Sequence, residues 1–173
     1  MPRERLSLKA RALQWLAQRE HSRAELRRKL LRVARAEAAQ RLAAVDAAAQ
    51  QPDTPAGCAD AERCVEQLLD WLQQHRYLSE ARFVESRVQA RAARYGNQRI
   101  RQELAQHGLA PDESTARQLR ESELARARAV WQRKFGAPAA DAQERARQMR
   151  FLAQRGFSSD VVRKVVNACD ADD

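Results

Sequence analysis

The chain has 173 residues, of which 44% are hydrophobic, and it carries a formal net charge of +9. That length holds one sizeable core or a short array of helical repeats, and the apolar share argues against disorder. Five Gly and five Pro are too few for the closely spaced turns of a β protein, and the charge favours an anionic partner: nucleic acid, an acidic protein surface or a membrane.

Ala, Arg, Gln, Glu and Leu, all good helix formers, dominate the composition. Leu8, Ala12 and Trp15 to Leu16 fall at helical spacing and mark a first helix. Ser22-Arg23-Ala24-Glu25 reads as a capping box. It opens a second helix with a Leu26, Leu30, Val33 stripe that extends to about Ala49. Gln51 to Gly57, with Pro52 and Pro55, reads as a linker. Ala61, Val65, Leu68, Leu69 and Leu72 define a third helix, and Ser79 caps a fourth through Val84, Val88, Ala92 and Tyr95. Gly96 breaks that pattern; a short fifth helix with Ile100 and Leu104 ends at Gly108. Pro111 suits N1 of a sixth, with Asp112 and Glu113 complementing its dipole. The apolar phase slips near Ser122, so Leu124 to Trp131 reads as a separate seventh helix closed by Gly136. Ala142 to Leu152 forms an eighth, ended by Gly156, and Ser158 or Ser159 caps a ninth.

Nine helices in sets of three point to internal repetition. The segments starting at Ser22, Gly96 and Ser158 share one pattern: a small residue, three variable residues, an aliphatic, Arg, two variable residues, an aliphatic. The turns at Leu16-Ala17-Gln18-Arg19, Leu104-Ala105-Gln106-His107 and Leu152-Ala153-Gln154-Arg155 also match. The expected fold is all-α: an elongated, curved array of three tandem three-helix repeats, 1–75, 76–121 and 122–173.

No catalytic or metal motif stands out. Cys58, Cys64 and Cys169 form no tight pair and fit a reducing compartment. His21, His75 and His107 are scattered, and the latter two suit helix C-termini better than ligation. Neither a catalytic residue, a metal, a cofactor nor a small-molecule substrate is expected. No apolar signal region follows Met1 to Arg5, and no apolar run reaches a membrane span, so a soluble cytoplasmic protein is expected. Trp15, Trp71, Trp131, Phe83, Phe151 and Phe157 sit on apolar stripes and read as core; Tyr95, beside Gly96, is open to exposure.

The cations are more informative. Lys occurs at four positions and Arg supplies the rest; Arg suits bidentate phosphate and carboxylate contacts, although a GC-rich genome also enriches Arg and Ala. Arg28, Arg32 and Arg35 share a helix face, as do Arg87, Arg91 and Arg94. Arg99 and Arg101 follow across the Gly96 turn, and Arg147 and Arg150 belong to a third patch with Arg145 and Arg155. Such stripes are candidate polyanion contacts or plain solvated surface.

The runs Ser7 to Leu13, Ser22 to Leu30, Tyr77 to Phe83, Tyr95 to Leu104, Lys134 to Gly136 and Phe151 to Phe157 together resemble the RecX family, bacterial regulators of the RecA recombinase. Two departures stand out: Asn97 occupies a position where the family often has Pro, which should loosen that helix start, and the 34–57 stretch is long. The resemblance implies three three-helix repeats, no enzymatic activity, and binding to the RecA filament on single-stranded DNA. The outcome would be inhibition of recombinase, ATPase and filament-extension activities, within DNA repair and the SOS response. A monomer is expected. A general basic DNA-binding protein without a dedicated protein partner is the alternative.

Overall fold

The computed structural model describes the backbone of residues 6–46 and 56–168, and the side chains of 6–40 and 60–167. Every regular element among the described residues is an α-helix: α1 (Leu8–Gln18), α2 (Arg23–Asp46), α3 (Ala56–Gln74), α4 (Glu80–Ala92), α5 (Asn97–Ala105), α6 (Glu113–Lys134), α7 (Ala142–Gln154) and α8 (Ser159–Ala168). The all-helical expectation holds. The linker expected at 51–57 lies outside the described residues up to 55, and Ala56 and Gly57 already belong to α3. The side chain of Cys58, and Cys169, lie outside them too.

The chain divides into two compact units, Met1–Phe83 and Val84–Asp173. In the first, α1, α2 and α3 enclose a core of Ala12, Leu26, Leu30, Leu31, Ala34, Val65, Leu69, Leu72 and Leu78. Val33, expected on the buried stripe, is half-buried; Leu31 and Ala34 point inward instead. Each fully buried Leu contributes about 1.5–3 kcal/mol. Ser7 Oγ accepts from the Ala10 amide at 3.2 Å and Ser22 Oγ from the Glu25 amide at 3.1 Å, satisfying donors left open at the starts of α1 and α2. The Glu25 carboxylate grips Arg19 and lies 3.2 Å from Nδ1 of buried His21. Burial works to raise the Glu25 carboxyl; the hydrogen bond from Arg19 and the nearby His21 overcome it and hold the group at about 2.

In the second unit α6, α7 and α8 pack around Ala127, Val130, Trp131, Leu152, Phe157, Val162, Val165 and Val166. Ile100 and Leu104 of α5 are buried, as are Ala116 and Leu119 of α6. The break expected near Ser122 does not occur: residues 113–134 form one helix, so eight helices replace nine among the described residues. Its buried face runs regularly through Ala116, Leu119, Glu123, Ala127 and Val130. The pattern looks interrupted because a charged residue, Glu123, fills a core position. Pro111 also sits two places before N1, which Glu113 occupies. Asp112 is the N-cap, accepting from the Thr115 amide at 2.8 Å.

One helix ending recurs. The Leu72 carbonyl accepts from the amides of Tyr77 (2.9 Å) and Leu78 (3.1 Å), Leu104 from Leu109 (3.1 Å), and Leu152 from Phe157 (3.4 Å). Each closure needs a left-handed residue: Arg76 at φ 60°, Gly108 at φ 72° and Gly156 at φ 80°. The turn after Leu16, expected to match, is different: α1 ends on Arg19 in extended conformation.

Candidate nucleic-acid interface

The two turns Tyr95-Gly96-Asn97 and Arg155-Gly156-Phe157 dock backbone to backbone. The Gly96 amide donates to the Arg155 carbonyl at 2.9 Å, and the Gln98 amide to the Gly156 carbonyl at 3.0 Å. A Cβ on Gly96 would stand 2.2 Å from the Gly156 carbonyl oxygen and the Phe157 nitrogen. Only glycine permits that approach.

Two polar side chains of α6 fasten the dock. Glu123, 6% exposed, accepts from the Asn97 amide (3.0 Å), the Ser158 amide (3.4 Å) and the Ser158 hydroxyl (3.2 Å). It thereby satisfies the open donors at the starts of α5 and α8, where a carboxylate is also favoured by both helix dipoles. Arg126 donates to the carbonyls of Ala92 (3.2 Å), Tyr95 (2.8 Å) and Leu119 (3.0 Å), and to Asn97 Oδ1 (2.6 Å). Burial lowers the Arg126 guanidinium pKa while the Glu123 charge raises it. Asn97 is buried and also donates from Nδ2 to the Leu119 carbonyl at 3.0 Å. It therefore fixes the start of α5, contrary to the loosening expected from the absence of Pro: its amide and side chain make bonds a proline lacks.

The dock brings the end of α4 beside the ends of α6 and α7. A groove of about 450 Å³ opens there, lined by Arg94, Tyr95, Val130, Arg133, Lys134, Phe151 and Arg155. Tyr95 is half-buried, with the guanidinium carbons of Arg91 and Arg99 5.8 and 5.7 Å from its ring centre. Phe151 meets Phe135 edge-on at 5.1 Å, and the Arg155 guanidinium covers it at 4.1 Å. Four cations thus share the groove with two aromatic rings, with no carboxylate among the lining residues.

The candidate stripes fare unevenly. Arg28 and Arg32 are exposed on α2, whereas Arg35, on the same face, pairs with Glu62 at 2.6 Å. Arg87 (3.1 Å) and Arg91 (2.9 Å) both converge on Glu103 of α5, so two-thirds of that stripe braces its own unit, and Arg94 alone of the three enters the groove. The Glu103 hydrogen bonds and charge raise the Arg91 guanidinium pKa. Arg99 and Arg101 are exposed on α5 and Arg150 on α7, while Arg147 lies 3.3 Å from Glu144. Neither Arg133 nor Lys134 is among the basic stripes read from the sequence. A basic last turn on a long helix is the signal they offer, and it gains meaning when three helix ends meet.

The aromatic expectations hold with one adjustment. Trp131, Phe83 and Phe157 are buried, and Trp131 Nε1 donates to buried Gln148 at 2.7 Å. Trp15, Trp71 and Phe151 are half-buried against the cores. His75 Nδ1 lies 2.9 Å from the Trp71 carbonyl, in keeping with its C-terminal place on α3. Among the described residues no group of three metal-ligating side chains gathers, and no helix is long and apolar enough to cross a membrane.

Comparison with known proteins agrees with this architecture. The family model for the second three-helix domain of RecX matches residues 79–116, and that for the third matches 121–166. The chain is 47% identical over 173 residues to the regulatory protein RecX of Ralstonia nicotianae, covering 99% of this chain and 93% of that one. It is 49% identical over 170 residues to the RecX of Leptothrix cholodnii, covering 97% and 92%. It is 46% identical over 177 residues to that of Herbaspirillum seropedicae, covering 100% and 99%.

Proposed function

The chain belongs to the RecX family, and on that premise we propose that it is a non-enzymatic cytoplasmic regulator of the RecA filament on single-stranded DNA. It binds the assembled filament and lowers its recombinase, ATPase and extension activities in DNA repair and the SOS response. The observation that carries the reading is basic surface without internal counter-charge, set on a helical repeat array of this family. We assign the repeats to 1–75, 76–121 and 122–173, the second boundary falling inside α6. The contact surface includes exposed Arg28, Arg32, Arg94, Arg99, Arg101 and Arg150; Arg35, Arg87, Arg91 and Arg147 contribute less because carboxylates hold them. The protein acts as a monomer whose unequal affinity for active and inactive filament forms shifts their populations.

The test is RecA ATPase and strand exchange on single-stranded DNA with the purified protein at stoichiometric amounts. Both fall if the reading holds; unchanged rates overturn it. The unpaired cations equally favour a general DNA-binding protein, which predicts no gain in affinity when RecA coats the strand.

A further inference from the structure

We propose that the groove at the ends of α4, α6 and α7 is a binding site for a single nucleic-acid strand. Its phosphates lie on Arg94, Arg133 and Lys134, and an unstacked base lies against Tyr95. The proposal deepens the reading above and rests on it, since the filament supplies the strand.

The side chains of Arg94, Arg133 and Lys134 form no hydrogen bond or ion pair with any described residue, and all three residues are exposed. Many other arginines are held by carboxylates: Glu103 holds Arg87 and Arg91, Glu62 holds Arg35, and Glu66 holds Arg23 and Arg27. Arg28, Arg32, Arg99, Arg101 and Arg150 are exposed as these three are; what sets Arg94, Arg133 and Lys134 apart is that they share one groove with Tyr95 and Phe151. A cation in a last helical turn complements the dipole of its own helix. That effect needs no convergence of three helix ends, and it gives no role to an aromatic ring between them.

The ring selects the strand. A duplex keeps its base faces stacked inside, so a tyrosine amid cations has little to touch there. A single strand offers phosphates and free π-faces together. Tyr95 is also held in place: its carbonyl accepts from Arg126 at 2.8 Å, and the next residue donates across the dock to Arg155 at 2.9 Å. The ring is therefore presented by fixed backbone, with the ordering cost met on folding rather than on binding. An acidic peptide would use the cations and leave the ring idle.

Fluorescence anisotropy of a labelled oligothymidylate with the full chain tests this. Arg94→Glu/Arg133→Glu/Lys134→Glu is compared with a charge-matched control on exposed positions outside the groove, Arg63→Glu/Arg117→Glu/Arg128→Glu. Affinity falls at least about tenfold further in the groove variant than in the control, because contacts to defined phosphates are lost as well as net charge. Equal losses overturn the proposal. Circular dichroism verifies helicity, and the Gln triple at the same three groove positions replaces the Glu triple if that one unfolds. Tyr95→Leu weakens oligothymidylate binding about fivefold or more and leaves an abasic strand of equal length nearly unaffected. Equal affinity of the wild type for both strands removes the base contact. A Glu-rich peptide that displaces the probe better than unlabelled strand assigns the groove to acidic protein instead. Strand binding at the groove without any effect on RecA ATPase refutes the regulatory reading and keeps the site. Full ATPase inhibition by a groove variant that binds oligothymidylate as the control does refutes the site and keeps the function.

Discussion

Replacing Gly96 by Ala isolates the dock on which the groove depends. At φ −78° the backbone of Gly96 suits any residue, so the whole effect is steric. The added methyl would lie 2.2 Å from the Gly156 carbonyl oxygen and the Phe157 nitrogen, both backbone atoms that cannot swing aside. Restoring van der Waals contact parts the two turns by more than 1 Å, and the hydrogen bonds at 2.9 and 3.0 Å cannot survive that separation. The Gly96 amide, left buried and unpaired, costs about 1–3 kcal/mol, and any loss of the Glu123 and Arg126 hydrogen bonds adds to that. Gly108→Ala is the control. Nothing lies within 4 Å of its added Cβ, and the cost is the left-handed strain at φ 72°, about 1–2 kcal/mol. Urea unfolding followed by circular dichroism should show the second unit of Gly96→Ala melting well before that of Gly108→Ala. Equal midpoints, or a Gly96→Ala protein as stable as the wild type, would refute the idea that backbone contact between these turns holds the unit together.

Arg76 fills the left-handed position that glycine fills after α5 and α7. Arg76→Gly should therefore leave the first unit as stable or about 0.5–1 kcal/mol more stable, strain relief outweighing chain entropy, as read from the urea midpoint. Glu25 gives a pH signature. Its folded carboxyl, at about 2 against an ordinary 4.5, binds fewer protons than the unfolded chain between those values. The stabilisation is present above about 4.5 and is lost as the pH falls towards 2. Glu25→Gln should flatten the acid limb of the urea midpoint against pH; an unchanged limb would show that the Arg19–Glu25–His21 cluster contributes nothing. Burial lowers the His21 pKa, so its share of acid destabilisation appears earlier, just below 6.5, and His21→Gln should remove it.

Local features were legible in the sequence. Ser22 and Ser79 cap the helices they precede because a hydroxyl before an apolar-periodic run has one natural partner, the open amide three residues on. The Leu-to-Gly endings at Leu104 and Leu152 were visible for a similar reason: the left-handed residue is a glycine. The equivalent ending at Leu72 was hidden because an arginine stands in the glycine position, and the turn after Leu16 looked alike without sharing the conformation. The continuity of α6 was lost on Glu123, whose charge breaks an apolar pattern although its partners, Asn97 and Ser158, lie 26 and 35 residues away. The basic stripes were correct as spacing and incomplete as chemistry. Glu103 sits on another helix, and nothing in the α4 sequence announces that it engages Arg87 and Arg91. The groove was out of reach for the same reason: Arg94, Arg133 and Arg155 belong to three helix ends, two joined by a glycine–glycine contact and the third tied in through Glu123 and Arg126.

The central claim is that this helical array recognises recombinase assembled on a strand more strongly than the strand alone. Its affinity for RecA-coated and for bare oligothymidylate, measured side by side at one salt concentration, tests that claim most directly. Tighter binding to the coated strand is the predicted result; equal or weaker binding would contradict it.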